Sequence, residues 1–354
     1  MPVSDKMICR KNNSRIAVTS RIRLARNLAG HKFANAASRE EMGEILRVCA
    51  EALGKTRKFK NGAFFNMSEI SDISRELLFE DRAISRELAE NTDFKAVFVS
   101  KDKNTSAMIN EEDHLRIQTM SAGLSLGSIW RSINLLDDAI EEHLEFAFSS
   151  NYGYLTACPT NVGTGMRASV MLHLPALVMS EQMDKIVRGV NQLGMVVRGA
   201  NGEGSDSYGA FFQLSNQQTL GISESDIVKK ITRFAKRLSD FEVNARKKLG
   251  QDNPKFLEDK IERARAVLCA CKLIDTAEAT ACLSHLRMAV DMGLFEGGDG
   301  LIDSIDGLIL KIRPSHLQSE FKSFDSTASE RDEMRARLLN REISALFDKK
   351  KLSK

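Results

Sequence analysis

The hydrophobic pattern of this chain changes period once, and that change constrains the fold more than any other feature. Before about residue 250, period-two stretches alternate with stretches of helical period; after Gly250-Gln251-Asp252-Asn253-Pro254 only the helical period remains. The Gly and Pro of that pentapeptide read as a linker. A uniform bundle or a uniform sandwich cannot carry both textures. The pattern predicts an α+β body followed by an all-α segment of roughly a hundred residues. At 354 residues the chain exceeds one ordinary core and suits about two domains. The expected division is a loose N-terminus over 1–14, a body over 15–246 and a helical domain over 253–354.

Composition narrows the class. Hydrophobic residues make up 42% and charged residues 28%, ordinary for a soluble globular protein. The net charge of +3 gives no argument for nucleic acid. No apolar run is long enough for a bilayer, and no signal peptide opens the chain, so the expected location is the cytoplasm and no membrane partner is expected. The six cysteines form no CxxC pair and read as free thiols in a reducing compartment.

Within the body, Ile16 to Leu24 alternates as a half-buried strand, with Ile16, Val18, Ile22 and Leu24 on one parity and Arg21 and Arg23 on the other. Helical patterning covers Ser38–Leu53, Ser71–Leu88 and a stretch containing Leu135, Ile140 and Leu144. Strand-like stretches lie at 96–99, 107–118, 169–174, 195–198 and 211–214. Ser223 and Asp226 read as a capping box for a long helix with Ile227, Ile231, Phe234, Leu238 and Phe241 on its apolar face. In the tail, Leu257, Ile261, Ala264, Leu268 and Cys271 keep helical spacing. Asp275 and Glu278 start another helix that Gly293 can stop. Gly297–Gly300 reads as a loop, and a helix follows Ser329, with Ser329 and Asp332 as its capping box.

Three stretches could carry chemistry. Asn110-Glu111-Glu112-Asp113-His114-Leu115-Arg116 crowds charge between apolar flanks; if extended, Glu112, His114 and Arg116 share a face. Cys158-Pro159-Thr160-Asn161-Val162-Gly163-Thr164-Gly165-Met166-Arg167-Ala168-Ser169 is a small-residue turn into a strand, able to bring backbone close to a ligand, yet without the Gly-Lys-Ser/Thr ending of a P-loop. Arg198-Gly199-Ala200-Asn201-Gly202-Glu203-Gly204-Ser205 presents one carboxylate on a glycine-rich loop. Taken singly, the plainer reading leads for each: a solvated face, a tight turn into a strand, a mobile hairpin.

Together they say more. Arg21, Arg23, Arg116, Arg167 and Arg198 each sit on or beside a strand. Five guanidinium groups gathered on one sheet would repel unless an anion lay among them. A nucleoside triphosphate suits that role, because guanidinium forks match phosphate oxygens. Glu112 and Glu203 would repel the same phosphates and suit a cationic acceptor. Phosphorylation of a guanidinium needs such an arrangement.

With those residues in view, the sequence resembles the phosphagen (guanidino) kinases. The stretch Ser20 to Asn27 (SRIRLARN), NEEDHLR and CPTNVGTGMRAS carry the resemblance, which covers roughly Ser14 to Arg246. Within the family it is most similar to bacterial members that phosphorylate arginine on proteins, through Arg198–Ser205, the helical tail, and Arg331-Asp332-Glu333-Met334-Arg335-Ala336. The resemblance implies a largely antiparallel sheet flanked by helices, ATP as phosphoryl donor, and Mg2+ held mainly by phosphates and water. It assigns nucleotide contacts to Ser20, Arg21, Arg23, Arg116, Arg167 and Arg198, with backbone help from Ala168 and Ser169, and catalytic roles to Glu112 and Glu203. Arg82 stands near where these relatives tend to have a histidine, and is a further candidate nucleotide contact.

Small-metabolite kinases of the family carry a helical domain ahead of the body, for which Arg21 comes too early; that favours an arginine on a protein over a free guanidino metabolite. The resemblance further implies an allosteric phosphoarginine site at Arg331, Asp332 and Arg335 and a homodimer through the tail. Implied partners are protein substrates with exposed arginine, a zinc-binding activator protein, and a Clp-type ATPase and protease that degrades marked proteins under stress. The competing readings are a kinase for a free guanidino metabolite and a non-catalytic phosphoarginine-binding adaptor.

Overall fold

The computed structural model describes residues 15–199, 207–295, 297–323 and 326–347. The expected loose N-terminus over 1–14 lies outside them. The strands are β1 (Ala17–Arg26), β2 (Ala63–Asn66), β3 (Ala96–Val99), β4 (Thr105–Ile109), β5 (Leu115–Ala122), the short hairpin β6 (Phe148–Ser149) and β7 (Gly153–Tyr154), then β8 (Met166–His173), β9 (Met195–Gly199) and β10 (Phe211–Asn216). Eight of them form one antiparallel sheet in the order β2-β3-β4-β5-β1-β8-β10-β9. β1 is central, and alternation predicts its two faces: Ile22 and Leu24 are buried while Arg21 and Arg23 point to the other side. A bulge between Ala17 and Thr19 takes Val18 off the apolar parity expected for it, and Val18 lines a cleft instead.

The core face of the sheet carries Ile22, Leu24, Ile109, Ile117, Ala168, Val170, Leu172 and Leu214. It packs against α1 (Arg39–Lys55), α4 (Leu126–Glu141) and α7 (Glu224–Asp252). Each fully buried aliphatic side chain there contributes about 1.5–3 kcal/mol of transfer free energy. Ser38 caps α1 and Ser223 caps α7, each accepting an N–H three residues on. The opposite face is largely polar, except at the β2–β3–β4 end. There Val97, Val99 and Met108 meet Ile84 and Leu88 from the short helices α2 (Asp72–Glu80) and α3 (Arg86–Glu90) and the turn between them.

Beyond α5 (Pro175–Met179), α6 (Met183–Gln192) and α7, every element is helical: α8 (Pro254–Ala270), α9 (Thr276–Asp291), α10 (Gly298–Lys311), α11 (Pro314–Phe321) and α12 (Ala328–Phe347). Asp275 caps α9 and Gly293 follows it with φ 76°, as the sequence indicates. The buried Arg246 ties α7 to α9: it reaches Glu242 at 2.7 Å and Asp291 at 2.6 Å.

Several expectations change. The helix expected over 71–88 is two helices, broken where Arg82 takes φ 62°. The strand expected over 107–118 is a hairpin that turns through Asn110, at φ 55°, to His114. The pentapeptide at 250–254 is not a loop; α7 continues through the buried Gly250 to Asp252, and only Asn253 separates it from Pro254 at the start of α8. Gly298 opens α10 rather than lying in a loop. The capping box of α12 is Thr327 with Glu330 rather than Ser329 with Asp332: the Glu330 N–H reaches Thr327 Oγ1 at 3.3 Å and the Thr327 N–H reaches Glu330 Oε2 at 2.7 Å. Leu135 and Phe241 keep helical spacing but fall off the buried stripe and are exposed.

Candidate active site

Strand register brings the arginines together. Across β1, Arg23 stands opposite Arg167 of β8 on one side and Gln118 of β5 on the other; Arg21 stands opposite Ser169 and Met120. Arg116 pairs with Ala25, and Arg198 of β9 pairs with Gln213 of β10. Residues directly opposite share a face, so Arg21, Arg23, Arg116, Arg167 and Arg198 all project from the polar one.

Apart from Arg116, which pairs with Glu111, their electrostatics separate them from the fully buried arginines. Arg26, on the core face, is bound to Asp137 at 2.7 Å under the Tyr154 ring; Arg246 and Arg287 likewise have carboxylates. Among the described residues Arg21, Arg23, Arg82, Arg167 and Arg198 have none. Arg21 and Arg167 donate only to neutral oxygens, Gln213 Oε1 and Ser215 Oγ, each at 3.3 Å. The Nε atoms of Arg23 and Arg167 are buried without a hydrogen-bond partner. Burial first, then neighbouring guanidinium groups, push Arg21 down to about 9 and Arg23 well below its ordinary value; Arg167 falls for the same reasons. Guanidinium groups stay protonated in proteins, so the physical meaning is mutual repulsion that an anion would relieve.

The NEEDHLR stretch closes the site, and its polar residues have distinct tasks. Asn110 donates to the carbonyls of Met42 and Phe94, both at 2.9 Å. The buried Asp113 carboxylate accepts Asn27 Nδ2 at 2.6 Å and the Ala157 N–H at 2.7 Å. His114 Nδ1 accepts the Leu28 N–H at 3.0 Å, which leaves Nε2–H to donate to the Lys32 carbonyl at 2.8 Å. Burial holds His114 below its usual range, in keeping with a neutral ring. Glu111, not Glu112, is the ion-pair partner of Arg116. Burial alone would raise Glu111, but Arg116, together with hydrogen bonds from Ser85 and the Glu112 N–H, outweighs it and the carboxyl lies below its usual range.

Glu112 is left over. It is exposed at the mouth of a pocket of about 220 Å3 whose wall includes Arg23, Arg116, Arg167, Cys158 and Asn161. Partial desolvation, then Asp113 and Glu111, raise its carboxyl; Arg116 and a hydrogen bond with the Cys158 thiol act the other way. The pocket's far wall is the CPTNVGTG turn, where close approach excludes side chains. A Cβ on Gly165 would stand 2.6 Å from the Ala25 carbonyl oxygen, and one on Gly163 would stand 2.4 Å from that of Thr219. Both glycines have positive φ, 62° and 112°.

Two residues tied to the nucleotide by resemblance turn their side chains to the core face. Ser20 has even parity on β1 and faces the core side, where its hydroxyl donates to the Gly123 carbonyl at 2.7 Å and accepts the Ser125 N–H at 3.0 Å. Ala168 also faces the core, and its N–H is taken by Asn216 Oδ1 at 2.8 Å. Ser169 does lie on the arginine face, opposite Arg21. Glu203 falls outside the described residues.

Family comparisons agree with this geometry. Residues 44–245 match the family described as ATP:guanido phosphotransferase, C-terminal catalytic domain, and residues 254–354 match the protein-arginine kinase McsB C-terminal domain. The chain belongs to the ATP:guanido phosphotransferase family. Protein-arginine kinase of Shouchella clausii is 43% identical over 330 residues, covering 93% of this chain and 91% of its own length. That of Geobacillus stearothermophilus is 42% identical over 333 residues, covering 94% and 91%. Among solved structures, lombricine kinase aligns with a TM-score of 0.58 at 26% identity, covering 68% of this chain and 69% of its own. The duplicated taurocyamine kinase of Schistosoma mansoni, with bound transition-state analogue components, aligns with a TM-score of 0.60 at 25% identity, covering 72% and 39%.

In this guanido phosphotransferase the arginine face opens at its other end into a larger cleft, about 900 Å3, between the sheet and the C-terminal helices. Met120, Met171 and Phe211 form part of its sheet-side wall, and Arg82, Arg313, Arg331, Asp332 and Arg335 also line it. Arg335 is 2% exposed and already engaged: Nε donates to the Ile312 carbonyl at 2.9 Å, and Nη1 to the Ile274 carbonyl at 2.7 Å and to Asp332 at 2.6 Å. Arg331 donates to the Ser326 carbonyl. No helix among the described residues is long and apolar enough to cross a membrane. None of the described His, Cys, Asp and Glu residues gather in threes as metal ligands.

Sequence reasoning missed Glu111 as the anchor of Arg116, and Gln118, Gln213 and Ser215 as neutral partners on the arginine face. Parity on β5 and β10, once their pairing with β1 and β8 is known, is the signal that finds the last three.

Proposed function

We propose that the chain is an ATP-dependent protein-arginine kinase, transferring the γ-phosphoryl group to arginine side chains of proteins. One observation carries this most: Arg23 and Arg167, half-buried and without carboxylate partners, line a pocket at whose mouth Glu112 is the carboxylate not committed to an arginine. Arg21, Arg23, Arg116, Arg167 and Arg198 would hold the triphosphate, with Ser169 beside them. The orphaned Nε atoms of Arg23 and Arg167 fit phosphate oxygens in charge and donor type. Mg2+ would be carried by phosphates and water. The apolar end formed by Met120 and Met171, next to Arg82, suits the base.

Glu112 would bind the acceptor guanidinium, aim one nitrogen at the γ-phosphorus, and take its proton as the N–P bond forms and the bond to ADP breaks. A carboxyl above its usual range is the better base. The arginines neutralise charge on the transferring group, which is where most catalysis of phosphoryl transfer lies. Glu203 would be the second carboxylate.

The protein acceptor follows from the names of the relatives and the match of the helical tail. We take 15–246 as the catalytic domain and 253–354 as a dimerisation and phosphoarginine-binding domain, with Arg331 and Asp332 facing the ligand and Arg335 holding them in place. A cytoplasmic location, a stress role, a zinc-binding activator and delivery to a Clp-type protease belong to the same reading. Incubation with ATP and Mg2+ tests it: acid-labile phosphate on an arginine-rich unfolded protein, and none on free arginine, is the expected result. Transfer to free arginine alone would replace this reading with a metabolite kinase.

A further inference from the structure

Glu80, the last residue of α2, joins the arginine face to the C-terminal helices. Its carboxylate accepts the Ser315 N–H at 3.0 Å and the His316 N–H at 3.1 Å, so it caps the start of α11. His316 Nδ1 lies 2.7 Å from the same carboxylate, and its Nε2 lies 3.1 Å from Asp81. The Glu80 carbonyl accepts Arg313 Nη1 at 2.9 Å. Glu80 itself is 6% exposed. Ser315 and His316 of α11, with its N-cap residue Arg313, thus grip the end of one short helix more than 230 positions away in the chain.

Arg82 sits two residues past Glu80 in the left-handed region, φ 62°, where a non-glycine residue is held against its own preference. From the sheet side, Gln118 Nε2 donates to the Arg82 carbonyl at 2.6 Å and Ser106 Oγ to the Ala83 carbonyl at 2.6 Å. The Arg82 turn is therefore fixed between the sheet and α11. Its guanidinium neighbours those of Arg21 and Arg313. On the far side, Arg335 holds the Ile312 carbonyl, one residue before Arg313. Hydrogen bonds and chain neighbours join Asp332 and Arg335, through Ile312, Arg313 and Glu80, to Arg82, whose charge in turn acts on Arg21.

We propose that Glu80 is a positioning residue through which α11, and with it the Arg331–Arg335 end of the cleft, sets Arg82 against the nucleotide. The proposal rests on the nucleotide reading of the arginine face. It makes the C-terminal helices part of the nucleotide site's support.

The test is a double-mutant cycle on the full chain, read as Mg-ATP affinity by titration, with folding checked by thermal melting. Glu80→Gln and Arg82→Ala should each weaken ATP about tenfold, within the usual span of coupled sites, and the double variant should be no weaker than Arg82→Ala alone. His316→Gln is the second variant, should Glu80→Gln not fold, and should weaken ATP in the same direction. Turnover at saturating ATP should stay within about twofold in Glu80→Gln and His316→Gln, the signature of lost binding rather than lost transition-state contact. Wild-type ATP affinity in Glu80→Gln and His316→Gln, with affinity lost in Arg23→Ala, would overturn the proposal and leave Glu80 a simple helix cap. Additive losses in the cycle would overturn it as well. Unchanged affinity in Arg23→Ala would instead refute the nucleotide reading on which it stands.

Discussion

Arg23 and Arg167 stand directly opposite each other on β1 and β8, and the Nε atoms of both are buried with no partner. Like charges paired across a sheet are destabilising, so this pair is a stability cost that only an anionic ligand recovers. Replacing Arg167 by Met should raise the thermal midpoint of the ligand-free protein by a few degrees, for a gain of about 1 kcal/mol. The same variant should weaken Mg-ATP by one to two orders of magnitude, roughly the 1.5–3 kcal/mol of a charge-assisted hydrogen bond. Melting with and without nucleotide checks both. A destabilised variant with intact ATP affinity would mean that Arg167 is structural.

Glu111 anchors Arg116 and is depressed below its usual range by that pair. A depressed carboxylate contributes stability above its unfolded value, near 4.3, that is lost as pH falls through the folded value. Glu111→Gln should cost about 1–3 kcal/mol at neutral pH and flatten the acid limb of the stability curve. An unchanged acid limb in chemical denaturation at several pH values would contradict the assignment.

His316 is raised to about 9 by its hydrogen bonds to Asp81 and Glu80. A raised histidine contributes stability that is full below its unfolded value, about 6.5, and lost as pH rises through the folded one. Stability should therefore fall between about pH 7 and 10 by on the order of 2–3 kcal/mol. His316→Gln should remove most of that slope. Equal slopes in the two proteins would show that His316 does not titrate in this window.

Gly165→Ala meets both a positive φ and the Ala25 carbonyl. A loss of about 2 kcal/mol or more is expected, since strain and steric overlap act together. Transfer activity should fall with it, because the turn carries Asn161 and Cys158 against the pocket. Denaturant melts and a transfer assay on the same preparation check the two effects together.

Much of this was legible in the sequence because alternation on β1 is strong: Ile22 and Leu24 bury, Arg21 and Arg23 do not, and register then assembles the face. The α+β body and the helical tail followed from the change of period. Local chemistry set the limits elsewhere. Arg82 breaks a helical pattern without glycine or proline, because Gln118 and Glu80 hold its turn from distant parts of the chain. The NEEDHLR stretch looked extended because its flanks are strands, while Asn110, Asp113 and His114 fold it through contacts to Met42, Phe94, Asn27 and Leu28. Gly250 signals a loop by composition but is buried inside α7, while Gly298 keeps a left-handed φ of 52° as it leads into α10. Ser20 and Ala168 came with a motif, and only the sheet shows that they face away.

Glu112 as the base is the assignment on which the mechanism depends most. The direct measurement is single-turnover phosphoryl transfer to an arginine-bearing protein by Glu112→Gln, beside its Mg-ATP affinity. Transfer should fall about 10²–10⁴-fold with ATP affinity within about twofold of wild type, and the wild-type rate should drop as pH falls through the raised carboxyl value. Transfer near the wild-type rate, with ATP affinity intact, would contradict that assignment.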